Sequence, residues 1–96
     1  MKFDIERMIS QFGSEEIALK FADIFREKAP EQLAALRHSF EKKDWEAVGL
    51  QAHGLKSQCA YMGLEEMVHL LQQLENNPQY PAAPRWLVAI EDGLQQ

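Results

Sequence analysis

His53 is the residue whose setting in this chain best suits chemistry. It stands in the segment Ala52-His53-Gly54-Leu55-Lys56-Ser57-Gln58-Cys59-Ala60-Tyr61-Met62-Gly63-Leu64. On an α-helix, residues three and four apart share a face. Its neighbours on that face are Gly49, Lys56, Ser57 and Ala60, all small or cationic. A neutral imidazole is a nucleophile near physiological pH. Placed in a bare, accessible patch with a lysine one turn away, it is suited to carrying a phosphoryl group between proteins. A merely solvated histidine is the competing reading, and the pattern alone leaves the two even. His38 and His69 lack a small-residue patch with a cation and read as surface or edge residues.

The helix that must position His53 declares itself by periodicity. Trp45, Val48, Ala52, Leu55, Cys59 and Met62 recur at alternating spacings of three and four residues. That stripe should face a core. His53 falls about 130° from its centre and so points towards solvent or the edge of a helix pair. Leu50 and Tyr61 fall off the stripe on the side beyond His53. They read either as packing against the first or last helix, or as an apolar rim that a partner covers. Gly49 and Gly54 sit in the helix interior, where each costs about 1 kcal/mol relative to alanine. Close approach of another protein to His53 gives a reason for Gly49; Gly54, placed at the back of the helix, has none. Cys59 lies on the stripe and reads as packing.

The remaining elements are helical too, since no segment shows sustained period-two alternation. Asp4 can cap a short first helix ending near Phe12-Gly13. Ser14, followed by Glu15 and Glu16, marks a second start. Ile17, Phe21, Ile24 and Phe25 then recur at helical spacing, and Leu33, Leu36, Arg37 and Phe40 resume the pattern after Pro30. No turn residue precedes Pro30, which favours a kink within one long helix over a break. Asp44 can cap the histidine helix and Gly63 can end it. A further helix runs from Leu64 to about Glu75, with Leu64, Met67, Leu71 and Leu74 on one side. The stretch Asn76-Asn77-Pro78-Gln79-Tyr80-Pro81 is a loop. A last helix starts near Pro84 and uses Trp86, Leu87, Ile90 and Leu94. Short connections favour antiparallel neighbours. The expected fold is all-α, an up-down antiparallel four-helix bundle with a short extra N-terminal helix. Residues 1–96 form one domain, with a histidine-bearing hairpin at about residues 44–76.

Composition narrows the function classes. The chain has 96 residues, 46% of them apolar, which suits a single modest core. Its net charge of −5 disfavours nucleic acid and anionic membrane surfaces as partners. No apolar run approaches the ~20 residues that span a bilayer. The N-terminal residues do not read as a signal peptide. One cysteine allows no internal disulfide. The cytoplasm is the expected location.

The segment from Ala52 to Met67 resembles the signature of histidine-containing phosphotransfer (HPt) domains, through Ala52, His53, Leu55, Lys56, Gly63, Leu64 and Met67. The stretch Phe21 to Phe40 is similar to the family's long second helix, and Asp44 stands where the family often has an acid. The resemblance covers roughly residues 14–76 well and the ends loosely. Ser57 departs from it, replacing the glycine usual after the lysine; a small serine should keep His53 accessible and can hydrogen-bond a phosphoryl oxygen.

The resemblance implies a phosphorelay intermediate of two-component signalling. His53 accepts a phosphoryl group from a receiver-domain aspartyl phosphate and passes it to another response regulator receiver. Lys56 offsets phosphate charge, while Gly49, Ser57 and Ala60 keep access. Gln72 or Glu75 steadies Nδ1 from the next helix; a carboxylate there favours the tautomer with its lone pair on Nε2. The partners implied are receiver domains and a hybrid sensor histidine kinase. No cofactor is expected on this chain, Mg²⁺ coming with the receiver, and no metal site. The protein is expected to be a carrier without autonomous kinase activity, since it has no Gly-rich nucleotide loop, and to be a monomer. Met1 and the short first helix favour a freestanding chain over one excised from a hybrid kinase.

Other readings stay open. A phosphorylation-independent helical adaptor could dock receiver or kinase domains through the same surface. A metal-binding bundle has only Glu66-x-x-His69 in its favour, without the second copy such sites need. A Ser-His-Asp hydrolase would need a nucleophile elbow and a sheet, and has neither.

Overall fold

The computed structural model describes residues 2–95. Five helices follow in order: α1 (Ile5–Phe12), α2 (Glu15–Glu41), α3 (Trp45–Tyr61), α4 (Glu65–Asn76) and α5 (Ala83–Leu94). Helices α2 to α5 pack in sequence, with α5 returning to α2 to close the bundle. Helix α1 lies across α2 and touches α3. The all-α up-down bundle with a short extra first helix is thus the observed architecture. Its long dimension of 40 Å matches α2, whose 27 residues at about 1.5 Å each span the whole molecule.

The helix starts are written in side-chain caps. Asp4 accepts from the Arg7 amide, Ser14 from Ile17 and Asp44 from Ala47, each satisfying an orphan N–H of the first turn. Pro30 lies inside the single helix α2, as the lack of a turn residue before it predicts. The turn from α3 into α4 depends on Gly63. Its φ of 72° is left-handed, and an added Cβ would stand 2.4 Å from that of Asp4. Asp4 comes this close because its amide donates to the Met62 carbonyl at 3.2 Å, which ties the start of α1 to the end of α3. Gly93 likewise admits the Met67 side chain between α4 and α5.

The core follows the α3 stripe. Val48, Ala52, Leu55 and Cys59 are buried and share one core with Leu71 and Leu74 of α4 and Leu87 and Ile90 of α5. Burial pushes the Cys59 thiol up to about 12, so it is a packing group at neutral pH. Helix α2 departs from the simple pattern. Of Ile17, Phe21, Ile24 and Phe25, only Phe25 is buried, and the other three are exposed. The buried face of that half is Ala18, Ala22, Phe25 and Ala29. Alanines let α1 and α3 approach α2 closely, and the larger residues are rotated to the edge.

Candidate functional site

His53 projects from the middle of α3 with its side chain 61% exposed. Its Nδ1 lies 3.1 Å from Glu75 Oε2, on the facing helix α4. The other oxygen of that carboxylate, Oε1, accepts from Lys56 Nζ at 2.7 Å. Lys56 also donates to Gln72 Oε1 at 2.9 Å. The resemblance left Gln72 and Glu75 as alternatives for Nδ1. The structure puts Glu75 against the imidazole and Gln72 against the lysine.

The Lys56 ammonium, and secondarily the His53 hydrogen bond, hold the Glu75 carboxyl below the usual carboxylate range, against the opposing effect of its partial burial. Glu75 is therefore ionised at neutral pH and can only accept hydrogen bonds. The proton between the two groups belongs to His53 Nδ1. In the neutral imidazole this leaves the lone pair on Nε2, on the ring edge away from Glu75.

Ala60 is exposed and Gly49 half-buried on the same side as His53, and a Cβ added at Gly49 would meet nothing within 4 Å. Ser57 is exposed, and its hydroxyl donates to the His53 carbonyl at 3.2 Å, one turn back. That proton is committed to the backbone, so Ser57 would have to break this bond to donate to a phosphoryl oxygen. Gly54, which the pattern put at the back of the helix, is exposed and lines a depression between α2 and α3 with Gln32, Gln51 and Gln58. His38 and His69 are both exposed.

Beside this cluster lies an apolar groove of about 550 Å³ that the sequence reading did not assemble. Phe12 of α1, Phe21 and Ile24 of α2, and Tyr61 of α3 line it. Phe12 and Phe21 stack with centroids 4.4 Å apart, and Tyr61 leans on Phe12 at 5.9 Å. Tyr61 lies about 12 Å along α3 from His53 and about 80° round it. Leu50, on the other side of His53 along α3, is 71% exposed and does not pack on another helix. The signal for the groove was present in α2. Counting alanines as core residues moves Phe21 and Ile24 off the buried face and onto the side that α1 and Tyr61 share.

Among the described residues no group of three His, Cys, Asp or Glu side chains could hold a metal ion, and no helix is long and apolar enough to cross a membrane. The chain matches the family model described as Hpt domain over residues 20–96. Comparison with curated proteins and with solved structures gave no significant match.

Proposed function

The chain belongs to the Hpt domain family, whose members carry phosphoryl groups in two-component phosphorelays, and from that premise we propose that His53 is the residue that receives and returns the group. The observation that carries this is the His53–Glu75 contact: an exposed imidazole whose Nδ1 is bound by a carboxylate presents a free lone pair on Nε2. Nε2 attacks the phosphorus of an aspartyl phosphate on a receiver domain. The N–P bond forms as the acyl O–P bond breaks, and the electron pair leaves on the receiver's aspartate. Attack by a second receiver's aspartate reverses the step and restores the neutral imidazole. Such transfer depends on alignment and charge placement more than on covalent help from the carrier. The Mg²⁺ that assists it is expected from the receiver's acidic cluster, and this chain acts as a carrier without kinase activity of its own.

The groove formed by Phe12, Phe21, Ile24 and Tyr61 supplies a docking surface, with Leu50 as its counterpart beyond His53. A receiver helix laid over it would bury aromatic side chains of the kind that dominate interface energetics. Docking there would bring the receiver's phosphoaspartate over the small residues Gly49 and Ala60. A hybrid sensor kinase and a response regulator are the partners this reading assigns, acting on a monomer in the cytoplasm.

The test is transfer from a panel of phosphorylated receiver domains to wild type and to His53→Gln. An acid-labile, base-stable label on wild type alone is the expected result. The exposed apolar groove also suits an adaptor that works without phosphorylation. Binding that survives His53→Gln, with no label on wild type from any receiver, would replace the relay reading with that one.

A further inference from the structure

Lys56 commits its charge before any phosphate arrives. Both of its hydrogen bonds go to α4, to Glu75 Oε1 at 2.7 Å and to Gln72 Oε1 at 2.9 Å. Its side chain is 16% exposed, against 61% for His53. The second oxygen of the same carboxylate takes His53 Nδ1. The carboxylate is thus shared, with the ammonium on one oxygen and the imidazole on the other. This places the Lys56 anchor on the Nδ1 side of the ring, whereas a phosphoryl group would attach at Nε2, on the opposite edge. To reach that group Lys56 would have to give up two hydrogen bonds, one of them to a charged partner.

Glu75 in turn needs an anchor. A single contact between a glutamate and an imidazole at a protein surface is weak, because a long side chain must be held in one geometry. The ammonium fixes one carboxylate oxygen, and Gln72 fixes the ammonium. The three α4-side bonds form a chain from Gln72 through Lys56 and Glu75 to Nδ1, and each member sets the direction of the next.

We propose that Lys56 is a positioning residue that acts through Glu75: it holds the carboxylate on His53 Nδ1, and so keeps the imidazole in the tautomer with its lone pair on Nε2, instead of binding the phosphoryl group itself. The consequence for transfer rests on His53 being the phosphoryl acceptor; the placement of the tautomer does not.

The deciding measurement is the tautomer of His53 by long-range ¹H–¹⁵N correlation, on unphosphorylated protein with no receiver present, at about pH 8, above the ordinary histidine range. Wild type, Lys56→Met and Glu75→Gln are compared, the backbone amide spectrum reporting that each is folded. Wild type is expected to carry its proton on Nδ1. Lys56→Met is expected to lose that preference although Glu75 is intact, and Glu75→Gln to lose it as well. Transfer from a phosphorylated receiver should slow by about tenfold in Lys56→Met, and the double variant should be no slower than the slower single one, as for residues acting in one chain. A Lys56→Met variant with the wild-type tautomer overturns the proposal, as does a wild type without the Nδ1 proton. If wild type accepts no label from any receiver, the relay reading falls, and the tautomer comparison still decides whether Lys56 positions Glu75.

Discussion

Gly49→Ala should make the protein more stable and a poorer phosphoryl carrier. Gly49 lies inside α3 with no left-handed φ, and a Cβ there meets nothing within 4 Å. The methyl group therefore costs no clash in the free protein. Replacing a helix-interior glycine by alanine gains about 1 kcal/mol, mostly by restricting the unfolded chain. In a domain of this size that gain raises Tm by about 4–8 °C. The new methyl stands one turn before His53 on the same side, where a receiver must come close. In-line transfer needs the reacting atoms about 3–3.5 Å apart, and a displacement of about 1 Å costs up to about 10²-fold in rate. Thermal unfolding followed by circular dichroism gives the first number, and the rate of label transfer from a phosphorylated receiver gives the second. Gly54→Ala, which also has open space at its Cβ, provides the stability comparison. A fall in Tm for Gly49→Ala would refute the helix argument. A rise in Tm with an unchanged transfer rate would refute the idea that this glycine leaves room for the partner.

Three further outcomes are expected. Leu50→Ala should leave stability within about 0.5 kcal/mol, as at other exposed positions, and should slow transfer by weakening receiver docking; an unchanged rate would remove Leu50 from the docking surface. Gly63→Ala should cost at least about 2 kcal/mol by chemical denaturation, since alanine is strained at this φ and its Cβ collides with Asp4; a loss below about 0.5 kcal/mol would mean the α3–α4 turn is misread. The third concerns pH. Glu75 is held low by Lys56 first and His53 second, so its contribution is present above the ordinary carboxylate value of about 4.3 and is lost as pH falls through the folded value. The stability gap between wild type and Glu75→Gln should therefore be steady near neutrality and narrow below about pH 4. A gap that persists undiminished to about pH 2 would contradict the ion pair.

The histidine helix was legible in the sequence because its signals agree. The apolar stripe, the Asp44 cap and the Gly63 stop all specify one helix, and the stripe alone turns His53 outwards. Pro30 was readable for a similar reason, as no residue near it offers the chain another way to turn. Two things were not legible. The first was which α4 residue meets His53. Gln72 and Glu75 are three residues apart and share a face, and only the packing register of α3 on α4 decides between them. The second was the groove. Large apolar residues outweigh alanines when a helix is read for its core, and in α2 the alanines face inwards. The bond from the Ser57 hydroxyl to the backbone belongs to the same class, because a serine's choice among nearby acceptors depends on its rotamer.

His53, Lys56, Gln72 and Glu75 all lie on one helical hairpin that reverses at Gly63. The whole His53 cluster is therefore encoded by a single contiguous stretch of chain, and α2 and α5 contribute none of its hydrogen bonds. Closing so short a loop costs little entropy, and each added residue raises that cost only logarithmically. The cluster can thus assemble among the early, local events of folding, before the return of α5 to α2 completes the bundle. The same locality makes the hairpin a transplantable cassette: moved onto another antiparallel pair of helices with the Gly63 turn intact, it would take its hydrogen-bonded chain with it, while the α1 and α2 walls of the apolar groove stayed behind.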